Sequence, residues 1–316
     1  MTVKKGIVTV TMNPALDKTV TVENFEAAKL NRIQDIRLDP GGKGINVARV
    51  LKRFDTEVMA WGLLGGLTGR LLAWKLEELG IPSDFLEVEG ETRTNLKVVD
   101  KLTGETTEIN EPGVQVGPET ADRFLERFES GISDYDCLLL GGSLPPGLPE
   151  DWYRRLISIA KSKGVPALLD ADGKAFHHGI EAAPWAIKPN IHELEGYCGR
   201  KLYTFEDMLH EACKLIDKGI GLVQISMGGD GSLLTDGREA FLARPFPITP
   251  ASTVGAGDSM VAALAYGLLR GLGNEEMARL ASAAGTVTAS KPGTQVCSLE
   301  EIMESAHLVQ IHNMTV

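Results

Sequence analysis

The sequence predicts a three-layer α/β fold, a parallel sheet covered by helices on both faces, with a small second sheet as an appendage. Three observations carry this. Short, continuously apolar runs such as Cys137-Leu138-Leu139-Leu140 and Ala167-Leu168-Leu169 read as strands buried on both faces. Helical stretches, for example 119–130 and 151–163, alternate with them, which implies crossover connections and parallel strands. A different pattern, strictly alternating apolar and polar residues, fills parts of 18–40 and 94–110 and marks strands with only one apolar face.

Taken in chain order, the first strand lies near 6–12, after the basic start Lys4-Lys5, and ends at Asn13-Pro14-Ala15-Leu16-Asp17. The alternating segment Thr19-Val20-Thr21-Val22-Glu23 and the later Arg32 to Leu38 follow. Thr94 to Asp100 and Glu105 to Asn110 form the second alternating patch, and Lys101-Leu102-Thr103-Gly104 between them predicts a hairpin turn. Further apolar strands are expected at Asp136–Leu140, Ala167–Asp170, Trp185–Lys188 and Leu222–Ser226. No internal repeat or linker divides the chain, so it reads as a single domain over 1–316, with the small sheet drawn from about 17–38 and 92–111. In open parallel sheets, ligands gather outside the carboxyl ends of the strands. Gly141-Gly142-Ser143, Lys188-Pro189-Asn190 and Met227-Gly228-Gly229-Asp230-Gly231 all fall there.

At 316 residues the chain can bury one large core. A net charge of −11 argues against nucleic acid or an anionic membrane surface as partner, and requires local cations wherever an anionic substrate binds. No apolar run approaches the roughly 20 residues of a membrane-spanning helix, and the short alternating start is a strand rather than a signal peptide. The four cysteines, Cys137, Cys198, Cys213 and Cys297, are widely spaced, which fits a reducing, cytoplasmic setting and no zinc site.

Chemistry concentrates in Thr253-Val254-Gly255-Ala256-Gly257-Asp258-Ser259, followed by the apolar helical run Met260 to Tyr266. The glycines allow a tight turn, and the N–H groups of Gly255, Ala256 and Gly257 then stand at a helix N-terminus, where orphan donors and the helix dipole favour an anion. Asp258 in the same turn can take a proton from an attacking hydroxyl, or can serve merely as an N-cap. Gly41-Gly42-Lys43-Gly44 opens a second helix, where glycines permit close backbone approach and Asn46 in the first turn can bond hydroxyls. The turn Ser226 to Gly231 reads either as a nucleotide-binding turn, with Ser226, Gly228 and Gly231 on phosphate or ribose, or as an ordinary hairpin. There is no Gly-x-x-x-x-Gly-Lys-[Ser/Thr], no Gly-x-Gly-x-x-Gly and no Gly-x-Ser-x-Gly, which argues against a P-loop enzyme, a nicotinamide oxidoreductase and a hydrolase elbow.

The segment 253–259 resembles the second signature of the ribokinase/PfkB family of sugar kinases, and Gly41-Gly42-Lys43-Gly44-Ile45-Asn46-Val47-Ala48 resembles the first. The resemblance implies a ribokinase-like domain whose small sheet closes as a lid over the sugar and often forms a dimer contact. It implies ATP and Mg²⁺ as cofactors and transfer to a hydroxyl of a phosphosugar. It places Asp17 on two sugar hydroxyls, with Gly41, Gly42, Asn46 and Ser143 also at the substrate. Lys43 and Arg93 would hold a phosphate already on the sugar. Lys188 and Asn190 would serve the ATP phosphates and Glu193 the Mg²⁺, through water; His192 beside it is expected to face solvent. Gly-Gly-Lys-Gly at 41–44 resembles both the branch that phosphorylates fructose 1-phosphate at its 6-hydroxyl and the branch that acts on tagatose 6-phosphate, while the segments 11–17 and 182–190 look more like the former. Tagatose 6-phosphate is the alternative, because its phosphate-to-hydroxyl span across the ring is similar. A sugar-phosphate-binding regulator without catalysis is a different class, and it is disfavoured because the base and the anion site are both present.

Overall fold

The computed structural model describes residues 5–316; Lys4 of the basic start lies outside them. The chain begins with β1 (Ile7–Thr11), β2 (Ala15–Val22) and β3 (Ile33–Gly41), then α1 (Lys43–Arg53), β4 (Val58–Gly65) and α2 (Gly66–Glu78). It continues through β5 (Ser83–Val88), β6 (Arg93–Asp100), β7 (Thr106–Asn110), α3 (Pro118–Gly131), β8 (Cys137–Gly141) and α4 (Trp152–Ser162). Next come β9 (Ala167–Asp170), α5 (Gly173–Ile180), β10 (Ala186–Ile187), α6 (Ile191–Cys198), α7 (Phe205–Asp217) and β11 (Leu222–Ser226). The last elements are β12 (Ser232–Thr235), β13 (Ala240–Arg244), α8 (Ala256–Arg270), α9 (Asn274–Ala289), α10 (Leu299–Ser305) and β14 (Gln310–Met314).

Ten strands form the large sheet in the order β14-β13-β12-β11-β10-β9-β8-β1-β4-β5. The apolar strands are buried on both faces, as continuous hydrophobicity requires. In β8, Leu138 and Leu140 pack into one core with Phe128, Trp152 and Leu156, while Cys137 and Leu139 pack into the other with Ile45, Leu264 and Ala281. Helices α3 to α7 thus cover one face, and α1, α2 and α8 to α10 the other. This is the expected three-layer arrangement.

Part of the sheet departs from expectation. From β5 to β11 the pairs are parallel, but β11-β12, β12-β13 and β13-β14 are antiparallel. For the first two of these antiparallel pairs the reason is loop length. A parallel pair needs a crossover of a dozen or more residues, whereas β11 and β12 are joined by five and β12 and β13 by four.

The small sheet has the order β3-β2-β6-β7, with β2 and β6 parallel and the outer pairs antiparallel. Only Met12, Asn13 and Pro14 separate β1 from β2, so the small sheet leaves the large one at the end where ligands collect. One face carries Val20, Val22 and Val98 packed with Phe25 and Leu96. The other carries Asp17, Asn95 and Lys97. Ile36 and Ile109, in register with Val20 and Leu96, leave the edges of the apolar face exposed.

Candidate active site

A cleft of about 830 Å³ opens at the carboxyl ends of the parallel strands. Charged residues line one end of it: Lys43 from the start of α1, Asp170 from the end of β9, Lys188 after β10, and Asp258 from the first turn of α8. Phe246, Pro247 and Ile248 line the other end.

Helix α8 starts at Gly255, whose φ of 80° lies in the left-handed region that only glycine adopts without strain. Two hydroxyls secure this turn. Ser259 Oγ donates to Gly255 O at 2.9 Å, and it also lies 2.8 Å from Thr288 Oγ1. The first N–H groups of a helix lack intrahelical partners. Here the Ala256 N–H, expected to be available to a ligand, turns back to Thr253 O at 3.3 Å, while those of Gly257 and Asp258 find no backbone acceptor. The absent side chain of Gly257 matters too, since a Cβ there would stand 3.3 Å from Lys188 Nζ.

Asp258 is buried, and its Oδ2 accepts from Asn46 Nδ2 at 2.8 Å. Burial, and then the nearby charge of Asp170, push its carboxyl up to about 6 against the opposing pull of Lys43, Asn46 and Lys188. A carboxylate tuned upward in this way is suited to accept a proton near neutral pH. Asp170 is buried too, with Lys43 Nζ 3.0 Å and Lys188 Nζ 3.7 Å away. Burial works against its charge, but Lys188 and Lys43 outweigh it and hold the carboxyl below its ordinary range. For Lys43 burial is likewise overcome, by Asp170, Glu193 and Asp258, and its ammonium is held more firmly than usual.

Next along the cleft, α6 begins with a capping box: Asn190 Oδ1 accepts from Glu193 N at 2.9 Å, and Glu193 Oε2 accepts from Asn190 N at 2.8 Å. The cap occupies one oxygen of each side chain. Glu193 Oε1 is left 3.8 Å from Lys43 Nζ. His192 is exposed, as its position predicted. Ser226, Gly228 and Gly231 line the same cleft. Their turn is a hairpin, with Met227 N donating to Gly231 O across it.

The expected sugar end is built around the small sheet. Asp17 is buried, accepting from Asn95 Nδ2 at 3.0 Å and paired with Lys97 Nζ at 3.2 Å. Gly41 is required there, because a Cβ would fall 2.6 Å from Asp17 Cγ. Gly42, at φ 111°, presses against Thr11. Ser143 Oγ accepts from Asn13 Nδ2 at 3.2 Å, and Gly141 approaches Lys43, where its Cβ would lie 3.0 Å from the lysine Cβ. Arg93 donates twice to Asn13 O, at 2.9 and 3.2 Å, and once to Glu111 O.

Lys43 was expected to join Arg93 on a substrate phosphate. Its ammonium is turned toward Asp170 and Glu193, among the residues that line the main cleft, and Arg93 does not line that cleft. The cation beside Asp17 is Lys97, which sequence reading passed over, as it did Asn13 and Asn95. Asp170 was also missed as a site residue, although a carboxylate closing an apolar strand at the ligand end of a sheet is a signal that could have found it. Among the described residues no group of three or more His, Cys, Asp or Glu side chains could cage a metal, and no helix is long and apolar enough to cross a membrane.

The pattern of the pfkB family of carbohydrate kinases matches residues 10–302. The chain is 40% identical over 285 residues to a 1-phosphofructokinase of Xanthomonas campestris, covering 87% of this chain and 88% of that one. It is 38% identical over 310 residues to a 1-phosphofructokinase of Rhodobacter capsulatus, covering 98% of each. Its fold is similar to the crystal structure of phosphofructokinase-2 from Escherichia coli in complex with potassium. There the TM-score is 0.91 at 30% identity, over 96% of this chain and 98% of that one. With that pattern matched over most of its length and such relatives at 38–40% identity, the chain belongs to the pfkB family of carbohydrate kinases.

Proposed function

We propose that this kinase transfers the γ-phosphoryl group of ATP to the 6-hydroxyl of fructose 1-phosphate. The observation that carries the reading is Asp258, a buried carboxylate raised to about 6 beside helix N–H groups that lack acceptors. The relatives named 1-phosphofructokinase supply the substrate.

In this reading Asp258 accepts the proton of the 6-hydroxyl as its oxygen attacks the γ-phosphorus and the bond to the β-phosphate oxygen breaks. The N–H groups of Gly255, Gly257 and Asp258, with Lys188, stabilise charge on the group in transfer. Asp17, Asn46, Gly41, Gly42 and Ser143 orient the sugar. Arg93, with hydrogen bonds to backbone carbonyls rather than carboxylates, keeps its charge for the substrate phosphate. Lys43 serves the phosphate in transfer instead of the phosphate on the sugar. Lys188, Asn190, Ser226, Gly228 and Gly231 hold the nucleotide.

Mg²⁺ fits this donor set. It binds through few carboxylates and keeps waters and phosphate oxygens, and Glu193 Oε1 is the carboxylate oxygen its helix cap leaves unused. The ion would supply neutralisation of phosphate charge. The chain acts as one domain in which the small sheet closes as a lid to exclude water. Its apolar face, bordered by exposed Ile36 and Ile109, pairs with a second copy. Light scattering of wild type and an Ile36→Glu/Ile109→Lys variant checks the pairing, which stands only if the variant is monomeric.

The deciding experiment is ADP release from MgATP with fructose 1-phosphate, tagatose 6-phosphate and fructose 6-phosphate, each with wild type and Asp258→Asn. Preference for fructose 1-phosphate, lost in the variant, is expected. Preference for tagatose 6-phosphate overturns the substrate, and a fully active variant overturns the base.

A further inference from the structure

Arg49 follows Asn46 by three residues on α1, so the two side chains share a face of the helix. Its guanidinium donates to Thr294 O at 3.0 Å, to Asn46 Oδ1 at 3.4 Å and to Pro40 O at 3.5 Å. Every acceptor is a neutral oxygen. Burial disfavours the charge of Arg49 more than Asp39, Asp17 and Asp258 favour it, so this cation stands in the site without a carboxylate bonded to it.

Guanidinium groups donate only. Asn46 must therefore turn its oxygen to Arg49 and its NH₂ away, and that NH₂ is what reaches Asp258 Oδ2 at 2.8 Å. The amide lies between a cation that accepts nothing and a carboxylate that donates nothing. Its orientation is fixed from both sides. The contact with Thr294 O ties Arg49 to the loop that backs the first turn of α8. Thr294 also receives Arg37 Nη2 at 3.3 Å, and the N–H of nearby Cys297 donates to Thr288 Oγ1, the hydroxyl beside Ser259.

We propose that Arg49 is a positioning residue for phosphoryl transfer, holding the Asn46 amide so that its NH₂ faces the base. The inference rests on the reading of Asp258 as that base. When Asp258 is protonated, it no longer demands a donor, and Arg49 alone keeps the amide from turning over. Arg49 thus favours the ionised carboxylate that chemistry requires. The other charged groups facing Asp258 are Lys43 on α1, Asp170 at the end of β9 and Lys188 after β10, and none of them bonds the Asn46 amide.

The test is the pH dependence of kcat in Arg49→Met, Asn46→Ala and the double variant, with thermal unfolding as a check on the fold. For Arg49→Met the acid limb is expected to move to higher pH by about half to one unit, the worth of one weakened hydrogen bond to a charged group, with KM for MgATP nearly unchanged. Asn46→Ala should move it the same way, and adding Arg49→Met should then move it less than Arg49→Met does alone, the remainder being the direct pull of the Arg49 charge on Asp258. An unmoved limb with uniformly lower kcat, or shifts that sum in the double variant, overturns the proposal. If methionine unfolds the protein, Arg49→Lys keeps the charge without the fork. A displaced limb there supports the orienting role, and a wild-type limb overturns it. Should Asp258→Asn retain full activity, it is the base assignment that fails, which separates the two readings.

Discussion

Asp170 and Asp258 stand in one cleft and are both buried, yet their carboxyls are shifted in opposite directions. Asp170 ends a strand and meets two lysines, Lys43 and Lys188; Asp258 opens a helix and meets one amide, Asn46. Burial penalises both charges alike, so neighbours decide the outcome. The first carboxylate is committed to holding two ammonium groups in place. The second is left able to take a proton, and Asp170 itself helps to raise it. Pairs of groups whose surroundings push them apart in this way mark the division between structural and chemical roles in a site.

The sharpest way to break the comparison is Asp258→Asn. We expect kcat to fall by about 10²–10⁴ while MgATP still binds, checked by ADP release and by titration calorimetry. An equal loss in Asp170→Asn with normal stability would erase the distinction between the two carboxylates.

Stability should separate them next, with opposite signs. Removing Asp170 strands the buried Lys188 and the half-buried Lys43, and we expect a loss of about 3–5 kcal/mol in urea unfolding, partly restored by MgATP, whose phosphates can take up the ammonium groups. For Asp258 the folded value of about 6 lies above the ordinary 3.8, so its contribution is favourable at low pH and is lost as pH rises through that window. Asp258→Asn is therefore expected to be more stable than wild type at pH 8 by about 1–3 kcal/mol, with the gain vanishing near pH 4. A destabilised Asp258→Asn at pH 8 would contradict the raised carboxyl.

A smaller effect is expected from Gly257→Ala. The new Cβ would stand 3.3 Å from Lys188 Nζ and shift that ammonium by a few tenths of an ångström. Loss of about 1 kcal/mol of transition-state stabilisation, about fivefold in kcat/KM, should follow with no loss of thermal stability. The smallest shift concerns pH. Without the charge of Asp170, the acid limb of kcat/KM should move from about 6 to lower pH in Asp170→Asn, by up to about one unit, when assayed with saturating MgATP. Movement to higher pH would mean that Lys43 and Lys188 had swung away from Asp258.

Features carried by contiguous residues were legible in the sequence. The strands at 137–141 and 167–170 follow from runs of apolar residues, and the start of α8 follows from Gly255, Gly257 and the buried helix behind them. The small sheet was legible from alternation, and its hairpin from the turn at 101–104. Asp258 and Asn46 were likewise named from motifs that each fit within one helix start. In these places the physics is local: backbone conformation, period and orphan N–H groups depend on neighbours in sequence.

Only the tertiary structure decided how charges pair. Lys43 meets Asp170 across 127 residues, Asp17 meets Lys97 across 80, and Arg49 reaches Thr294 across 245. Whether a lysine in a glycine loop faces the sugar or a carboxylate depends on which strand end lies opposite, and no local spacing records that. The antiparallel edge formed by β12 to β14 belongs to the same class, because strand pairing is set by loop reach and by sheet edges left open. The sequence by itself determined the elements and the chemical groups they present. Folding decided which charges share a desolvated space, and thus which carboxyl is raised and which is held low, because Coulomb interactions depend on distance through space and on burial, not on separation along the chain.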